Sequence, residues 1–202
     1  MLGSMRSVLG AKYRAGGGGG ILLFRDTFTD TDNTLLSAHT PDIDTVGGGW
    51  NIYSTTPRIT DVNTADGDTR GSFLEAAHVD VGLSQDIKIS IKLPASTQIG
   101  LAFRVSADGR SYYILRYHNS TNLYFIRREN SAWNNIGEIS VGNLQSNFVL
   151  TVFLRQTTLD IAIDGIMQAT DIAVPNLLTN TGVGYFCNYP SRETDDLEVE
   201  TL

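Results

Sequence analysis

The sequence is poor in several features that identify common classes of protein. It contains one cysteine in 202 residues, which excludes an internal disulfide framework and a zinc cluster built on cysteines. No apolar run approaches the roughly 20 residues that span a bilayer, so we expect no membrane insertion. No continuous apolar segment follows the basic residues near the N-terminus, as a secretory signal requires. Lysine is scarce, and long helix-forming stretches are missing.

The residues that are plentiful favour β-structure. Thr, Val and Ile are frequent, and Gly and Asn supply residues for turns. Residues 86–93 alternate between apolar and polar side chains, the pattern of a half-buried strand. Asp108-Gly109 and Asp164-Gly165 are typical of hairpin turns, and residues 119–122 predict a further turn. Together the signals predict about a dozen short strands, and one segment, 72–81, favours a helical turn.

These strands predict an all-β fold. No alternation of strands with helices is present in the sequence, which excludes a parallel α/β sheet. Many short strands separated by turn signals are typical of two antiparallel sheets packed face to face. The length fits one such domain, and an apolar content of 41% is enough for a core. We predict a two-sheet antiparallel jelly-roll sandwich.

Charge divides the chain into two parts. The formal net charge is −7, which argues against a nucleic-acid-binding protein. Residues 1–20 nevertheless hold three bases and no acid, which leaves 12 bases against 22 acids, a charge of −10, in residues 21–202. We predict an extended, basic, glycine-rich arm at 1–20 that binds a partner, joined to a β-sandwich domain at 21–202. The predicted binding residues of the arm are Arg6, Lys12, Arg14, Gly16, Gly17, Gly18, Gly19 and Gly20.

Three parts of the predicted domain form a recognisable pattern. They are Phe24-Arg25-Asp26-Thr27-Phe28-Thr29 with Gly49-Trp50, Gly100-Leu101-Ala102-Phe103-Arg104-Val105 with Asp108-Gly109, and Gly182-Val183-Gly184-Tyr185-Phe186 with Asp195-Asp196-Leu197-Glu198-Val199. Together they resemble the concanavalin A-like, laminin-G-like jelly-roll family over about residues 21–202. The resemblance implies a sandwich in which the last strand lies beside the first. It does not define an activity, because this fold hosts lectins, hydrolases, sensors and structural modules.

The layout of the chain carries a second resemblance. A short basic glycine-rich arm, followed at once by Asp26-Thr27-Phe28 and a β-sandwich, is similar to structural proteins of tailed bacteriophage particles. This resemblance implies a non-enzymatic subunit on the exterior surface of a virion, either a capsid decoration or a head or tail accessory protein. The implied partners are capsid or tail subunits bound through the arm, together with other copies of the chain.

The sequence offers no recognisable catalytic set. Glycosidases need two carboxylates that flank the scissile bond, and Glu198 and Glu200, which share one strand face, are better explained as solvent-facing side chains. The histidines His39, His78 and His118 are far apart in sequence and belong to no recognisable metal or triad motif. We therefore predict that the chain is not an enzyme, with glycoside hydrolysis as the weakest alternative.

Acidic and amide side chains cluster around a glycine within eight residues. Oxygen ligands at short spacing around a glycine turn are typical of Ca²⁺ sites, although the spacing departs from that of an EF-hand and no bidentate glutamate closes it. An Asx-rich turn, in which the side chains cap their own backbone, explains the same residues. The sequence predicts no other cofactor. The candidate calcium ligands are Asp61, Asn63, Asp66 and Asp68.

The strands predicted over 111–118 and 123–128 indicate a mixed aromatic and basic patch. If the more apolar face of each strand is turned to the core, tyrosine and arginine side chains share the opposite face with a tryptophan from the next strand. Such a patch fits a protein interface, stacking on a glycan, or cross-strand pairing on an ordinary sheet surface. Its residues are Tyr112, Arg116, Tyr124, Arg128 and Trp133.

Two functions of different classes remain after these exclusions. The main prediction is a virion structural protein whose arm binds a neighbouring subunit and whose acidic sandwich is displayed outward. The alternative is a carbohydrate-binding module for host surface glycans. The two are compatible, because a displayed domain can also adhere to cells.

Overall fold

The computed structural model describes most of the predicted sandwich domain and the last residue of the predicted arm. The regular secondary structure of the described part consists of β-strands and one short 3₁₀ turn at Leu36–Ala38. No helix in these ranges is both long and apolar enough to cross a membrane. The described residues are 20–31, 33–52, 57, 59, 65, 77–96, 99–130, 132–187 and 194–202.

Thirteen β-strands lie within the described ranges. They are β1 Leu22–Asp26, β2 Ile43–Asp44, β3 Ala77–Asp80, β4 Ile87–Pro94, β5 Ile99–Val105, β6 Tyr112–Asn119, β7 Asn122–Glu129, β8 Ala132–Ser140, β9 Asn147–Leu154, β10 Thr158–Ile163, β11 Ile166–Ala173, β12 Gly182–Cys187 and β13 Asp195–Thr201. They form a seven-stranded sheet, in the order β11-β10-β9-β4-β13-β1-β2, and a six-stranded sheet, in the order β3-β12-β5-β6-β7-β8. The predicted all-β antiparallel sandwich is confirmed.

Strand β4 forms as its alternating sequence predicts. Its polar side chains lie on the outer face, where Lys88 and Lys92 make ion pairs with Glu200 and Asp195 of the neighbouring β13. Its apolar side chains face the other sheet, because successive side chains of a strand point to opposite faces. The buried residues of β4 are Ile87, Ile89, Ile91 and Leu93.

The predicted turns and the predicted closing strand also form. Asp108-Gly109 lies between β5 and β6, and Asp164-Gly165 joins β10 to β11. The two glycines have φ angles of 67° and 77°, a region that glycine occupies without steric cost. Strand β13 pairs antiparallel with β1, so the last strand lies beside the first, as the resemblance implied.

The helical turn predicted at 72–81 is wrong where the structure describes it. Ala77–Asp80 form β3, which pairs antiparallel with β12, and residues 72–76 lie outside the described ranges. A Cβ on Gly184 of β12 would lie 1.9 Å from the carbonyl oxygen of Ala77, so the glycine is what allows β3 to approach. Pairing with β12 overrides the weak helix preference of the alanine-containing segment.

Aromatic rings fix the inner face of the six-stranded sheet. Phe103, Tyr113 and Phe125 lie on the adjacent strands β5, β6 and β7, and each neighbouring pair stacks with ring centres 5.5 Å apart. All three are buried between the sheets. This stack fixes β5, β6 and β7 relative to one another from the core side.

Asp26, at the end of β1, is fully buried and accepts three hydrogen bonds. Its Oδ1 accepts from the backbone N–H of Phe28 at 2.7 Å and from Nε2 of His39 at 2.8 Å. Its Oδ2 accepts from the indole N–H of Trp50 at 2.6 Å. The other ring nitrogen of His39 lies 3.2 Å from Oδ2 of Asp30, so both nitrogens face carboxylates.

This arrangement makes His39 a pH-dependent source of stability. Burial opposes the charged form, but the hydrogen bonds and charges of Asp26 and Asp30 outweigh it and raise the pKa of His39 above its ordinary value. Because the pKa of His39 is higher in the folded state, protonated His39 stabilises the fold fully at pH values below the unfolded pKa of about 6.5. This stabilisation is lost as the pH rises through the higher pKa of the folded state.

Arg104 of β5 closes one end of the sandwich from the inside. The side chain is 1% exposed, and all five of its N–H groups donate to backbone carbonyls of three connections, those between β3 and β4, β9 and β10, and β11 and β12. Burial lowers the pKa of the guanidinium, because the charged form loses its hydration. The acceptors, at 2.5 to 3.2 Å, are the carbonyl oxygens of Ser84, Arg155, Gln156, Val174 and Asn176.

Candidate functional site

The outer face of the six-stranded sheet carries all five residues of the predicted aromatic and basic patch. Strand pairing places Arg116 of β6 opposite Tyr124 of β7. It also places Arg128 of β7 between Tyr112 of β6 and Trp133 of β8. The alternate positions of β6 and β7 fill the core, so these five side chains point away from it.

Arg128 links two of the aromatic rings. Its guanidinium carbon lies 5.6 Å from the centre of the Tyr112 ring and 5.2 Å from that of Trp133, within the range of cation–π attraction. Its Nη1 donates a hydrogen bond to the Tyr112 hydroxyl at 3.0 Å. Tyr112 is fully buried and Arg128 is 5% exposed, so these two hold the patch together from beneath its surface.

Trp133 is the large exposed ring of the patch, with 42% of its surface accessible. On its inner side it packs edge-on against Phe186 of β12, with ring centres 5.9 Å apart. Strands β8 and β12 are four positions apart, which is about 19 Å across a flat sheet. Contact between their side chains therefore requires the sheet to curve, which makes this face concave.

The concave face holds an open cleft of about 300 Å³ beside Trp133. Apolar, aromatic, amide and guanidinium groups converge on it, which is the composition typical of ligand sites. We call it the aromatic–arginine cleft. Its lining residues are Arg116, Tyr124, Ile126, Trp133 and Asn135.

A network of polar and ring contacts borders the cleft at the Tyr124 end. The ring centre of His118 lies 3.8 Å from that of Tyr124, and its Nε2 lies 3.3 Å from Oε1 of Glu138. Oε2 of Glu138 accepts a hydrogen bond from the amide of Asn122 at 3.1 Å. The network supports the Tyr124 ring from the side and engages both carboxylate oxygens of Glu138.

Two lining residues, Ile126 and Asn135, are absent from the predicted patch. Alternation along β7 gives a signal for Ile126, which lies between Tyr124 and Arg128 on the same face. Asn135 follows Trp133 by two positions and lies opposite Ile126, in the same register that sets Trp133 opposite Arg128. Period-two alternation along β8 therefore gives a signal for Asn135 as well.

A second cleft, of about 210 Å³, lies at the opposite edge of the same sheet. His78 and Asp80 of β3 and Thr181 before β12 line it with other residues. None of its lining residues is tryptophan, tyrosine or phenylalanine, so it lacks the stacking surface of the aromatic–arginine cleft.

The other predicted site residues lie where the structure gives no description. The candidate calcium ligands Asp61, Asn63, Asp66 and Asp68 are outside the described ranges, as is every predicted arm residue except Gly20. In the part of the chain that is described, no group of three or more His, Cys, Asp or Glu side chains could hold a metal ion.

The fold is shared with β-sandwich modules among solved structures. A carbohydrate-binding module, CBM66 from Bacillus subtilis, matches with a TM-score of 0.53 and 16% identity over 75% of this chain and 95% of that one. Domain 4 of AbnA, an extracellular GH43 arabinanase from Geobacillus stearothermophilus, was solved with arabinotriose. It matches with a TM-score of 0.50 and 13% identity over 91% of this chain and 93% of that domain. Galectin LEC-6 from Caenorhabditis elegans gives a TM-score of 0.43 and 11% identity over 63% of this chain and 94% of the galectin.

Comparison by sequence adds no family to this result. No model of a known protein family matches the chain, and no curated protein matches it. At identities of 11–16%, the structural likeness establishes the fold alone, since one fold supports many functions.

Proposed function

We propose that this chain is a carbohydrate-binding module that holds a saccharide in the aromatic–arginine cleft. The observation that carries the proposal is the exposed Trp133 ring, held rigid by Arg128 and Phe186 at the border of a concave, polar-lined cleft. A sugar ring has a face of C–H groups that packs on an aromatic ring and hydroxyl groups that need polar partners at its edge. Arg116 and Asn135 supply such partners beside the ring.

The comparisons and the chemistry of the cleft support this proposal. Two solved structures that match with TM-scores of 0.50 and above are a carbohydrate-binding module and a domain solved with arabinotriose. Hydrolysis of a glycosidic bond needs a pair of carboxylates, and the residues that line the cleft include no aspartate or glutamate. This lining supports binding without cleavage.

Replacing Trp133 with alanine is expected to weaken saccharide binding about tenfold or more, because exposed aromatic anchors dominate such interfaces. A glycan array identifies the ligand, and isothermal titration of wild type and variant measures the change. Phe153→Ala is the matched control, since Phe153 is a half-buried aromatic residue of β9 in the other sheet. Equal affinity of wild type and Trp133→Ala would contradict the proposal.

We also propose a second candidate, a displayed subunit on the exterior of a virus particle attached through residues 1–20. Its support is the separation of charge in the sequence, with three bases and no acid in that segment and an acidic remainder. Deleting residues 1–20 is expected to abolish incorporation into particles while circular dichroism shows an unchanged β-fold. Normal occupancy of particles by the truncated chain would remove this candidate and leave saccharide binding unaffected.

A further inference from the structure

We infer that the aromatic–arginine cleft selects a saccharide that carries a carboxylate, such as a uronic acid unit, and that Arg116 binds this carboxylate. The inference rests on the proposed function and names the chemical class of its ligand. Its basis is the charge of the cleft, the placement of the Arg116 guanidinium and a second arginine beneath the surface.

The cleft is basic in a chain that is acidic overall. Arg116 is the one charged residue among the five that line it, whereas the whole sequence has 22 acids against 15 bases. A neutral sugar would need only hydroxyl-binding groups, which Asn135 and the Tyr124 hydroxyl supply. The guanidinium therefore adds attraction for an anion to a site that already has partners for hydroxyl groups.

The guanidinium of Arg116 is placed for recognition of a planar anion. Its central carbon lies 5.4 Å from the centre of the Tyr124 ring, within cation–π range. A guanidinium held against a ring directs its N–H donors in its own plane, around the edge of the ring. That fork matches the two oxygens of a carboxylate, which arginine binds bidentately.

The backbone beside Arg116 leaves room for this placement. Gly100 of β5 lies opposite Arg116, and a Cβ on Gly100 would lie 2.6 Å from the Cβ of Arg116. Partial burial lowers the pKa of Arg116, because the cation has lost part of its hydration. A carboxylate beside the guanidinium would offset this loss of hydration.

A second cation strengthens the field in the cleft. The guanidinium of Arg128 lies directly against the Trp133 ring and is almost fully buried, so solvent screens it weakly. The carboxylate of Glu138 at the border is the opposing charge, and both of its oxygens are engaged by His118 and Asn122. The positive charges near the cleft, on Arg116 and Arg128, therefore outnumber the single negative charge of Glu138, whose oxygens already have partners.

Matched pairs of ligands test the inference on the full, unmodified chain. Oligogalacturonate, oligoglucuronate and sialyllactose are each titrated beside their methyl esters, which keep the stereochemistry and remove the charge. For at least one pair, we expect the acid to bind about tenfold or more tightly than its ester. Raising NaCl from about 50 to about 500 mM should weaken binding of the acid and leave the ester unchanged.

Substitution of Arg116 then locates the effect. Arg116→Gln is expected to reduce the affinity for the acid to that of the ester, and Arg116→Lys to retain part of the difference, because lysine keeps the charge without the fork. Arg110→Gln, on the exposed turn before β6, is the control with the same change of charge. Full preference for the acid in Arg116→Gln would overturn the role of this residue.

The ligand panel also separates failure of this inference from failure of the proposed function. Equal binding of acids and esters, or binding of neutral saccharides alone, would overturn the inference and leave carbohydrate binding in place. If no acid, ester or neutral saccharide on a glycan array binds, the proposed function itself fails. These readings use the wild-type chain and so do not depend on the folding of any variant.

Discussion

Replacing Arg104 with methionine is expected to lower the free energy of unfolding by about 3 kcal/mol or more, because several backbone acceptors lose the charged donor that satisfies them. The methionine fills much of the same volume but leaves five carbonyl oxygens of three connections without their donors. An unsatisfied buried acceptor costs about 1 to 3 kcal/mol, and because only the bond to Val174 is fully buried, water and relaxation of the loops recover part of the total. Urea unfolding followed by tryptophan fluorescence measures the change.

The control for this prediction is Arg110→Met, which makes the same replacement at an exposed position. It is expected to change stability by no more than about 0.5 kcal/mol. Arg104→Lys is expected to lie near the methionine variant, because an ammonium has three donors for five acceptors. A loss below about 1 kcal/mol in Arg104→Met would show that Arg104 does not hold the connections together.

Replacing Asp26 with asparagine is expected to cost about 2 to 4 kcal/mol at pH 6. Asparagine has the same shape, but its NH₂ group must face either the indole N–H of Trp50 or the donors on the opposite side, His39 and the Phe28 amide. One donor–donor contact is therefore unavoidable, and the protonated His39 loses its buried counter-charge. Thermal and urea unfolding at matched pH measure the loss.

The pH dependence distinguishes this explanation from a simple packing defect. Since the pKa of folded His39 is raised, the difference between wild type and Asp26→Asn should be largest below about pH 6.5 and shrink as the pH rises through the folded pKa. Asp196→Asn is the control, because Asp196 is exposed and has a φ of 50°, which asparagine also tolerates. A difference that stays constant from pH 5.5 to pH 9 would contradict the charged pair.

Local patterns in the sequence predict much of the sandwich. Strand β4 was predictable because its alternation of apolar and polar residues directly reflects the two faces of a sheet. The turns at Asp108-Gly109 and Asp164-Gly165 were predictable because each needs only a few consecutive residues. The all-β class follows from these signals together, and comparison with solved structures agrees with it.

Contacts between distant parts of the chain could not be predicted in this way. Arg104 reads as an ordinary position of β5, yet its acceptors lie about 20 to 70 residues away in sequence. His39 and Trp50 lie 13 and 24 residues beyond Asp26 in the sequence, and only the folded chain brings them to its carboxylate. Strand β3 was missed for the same reason, because its partner β12 is far along the chain.

The candidate site could be predicted from the sequence only in part. Period-two alternation was sufficient to predict that Tyr112, Arg116, Tyr124 and Arg128 share a face. Which of these side chains are buried and which are exposed depends on the curvature of the six-stranded sheet. That curvature brings Phe186 and Trp133 into contact from strands four positions apart. The sequence contains no signal for that curvature, so the burial of Tyr112 and Arg128 and the cleft itself emerge only in the folded sheet.

The most direct test of carbohydrate binding in the aromatic–arginine cleft uses the two tryptophans of the chain. Trp133 borders the cleft, whereas the indole N–H of buried Trp50 is hydrogen-bonded to Asp26. In a ¹H–¹⁵N spectrum titrated with the ligand found on the array, the Trp133 indole resonance should move to saturation while that of Trp50 stays in place. Saturable binding that moves neither indole, or only that of Trp50, would contradict the assignment of the site.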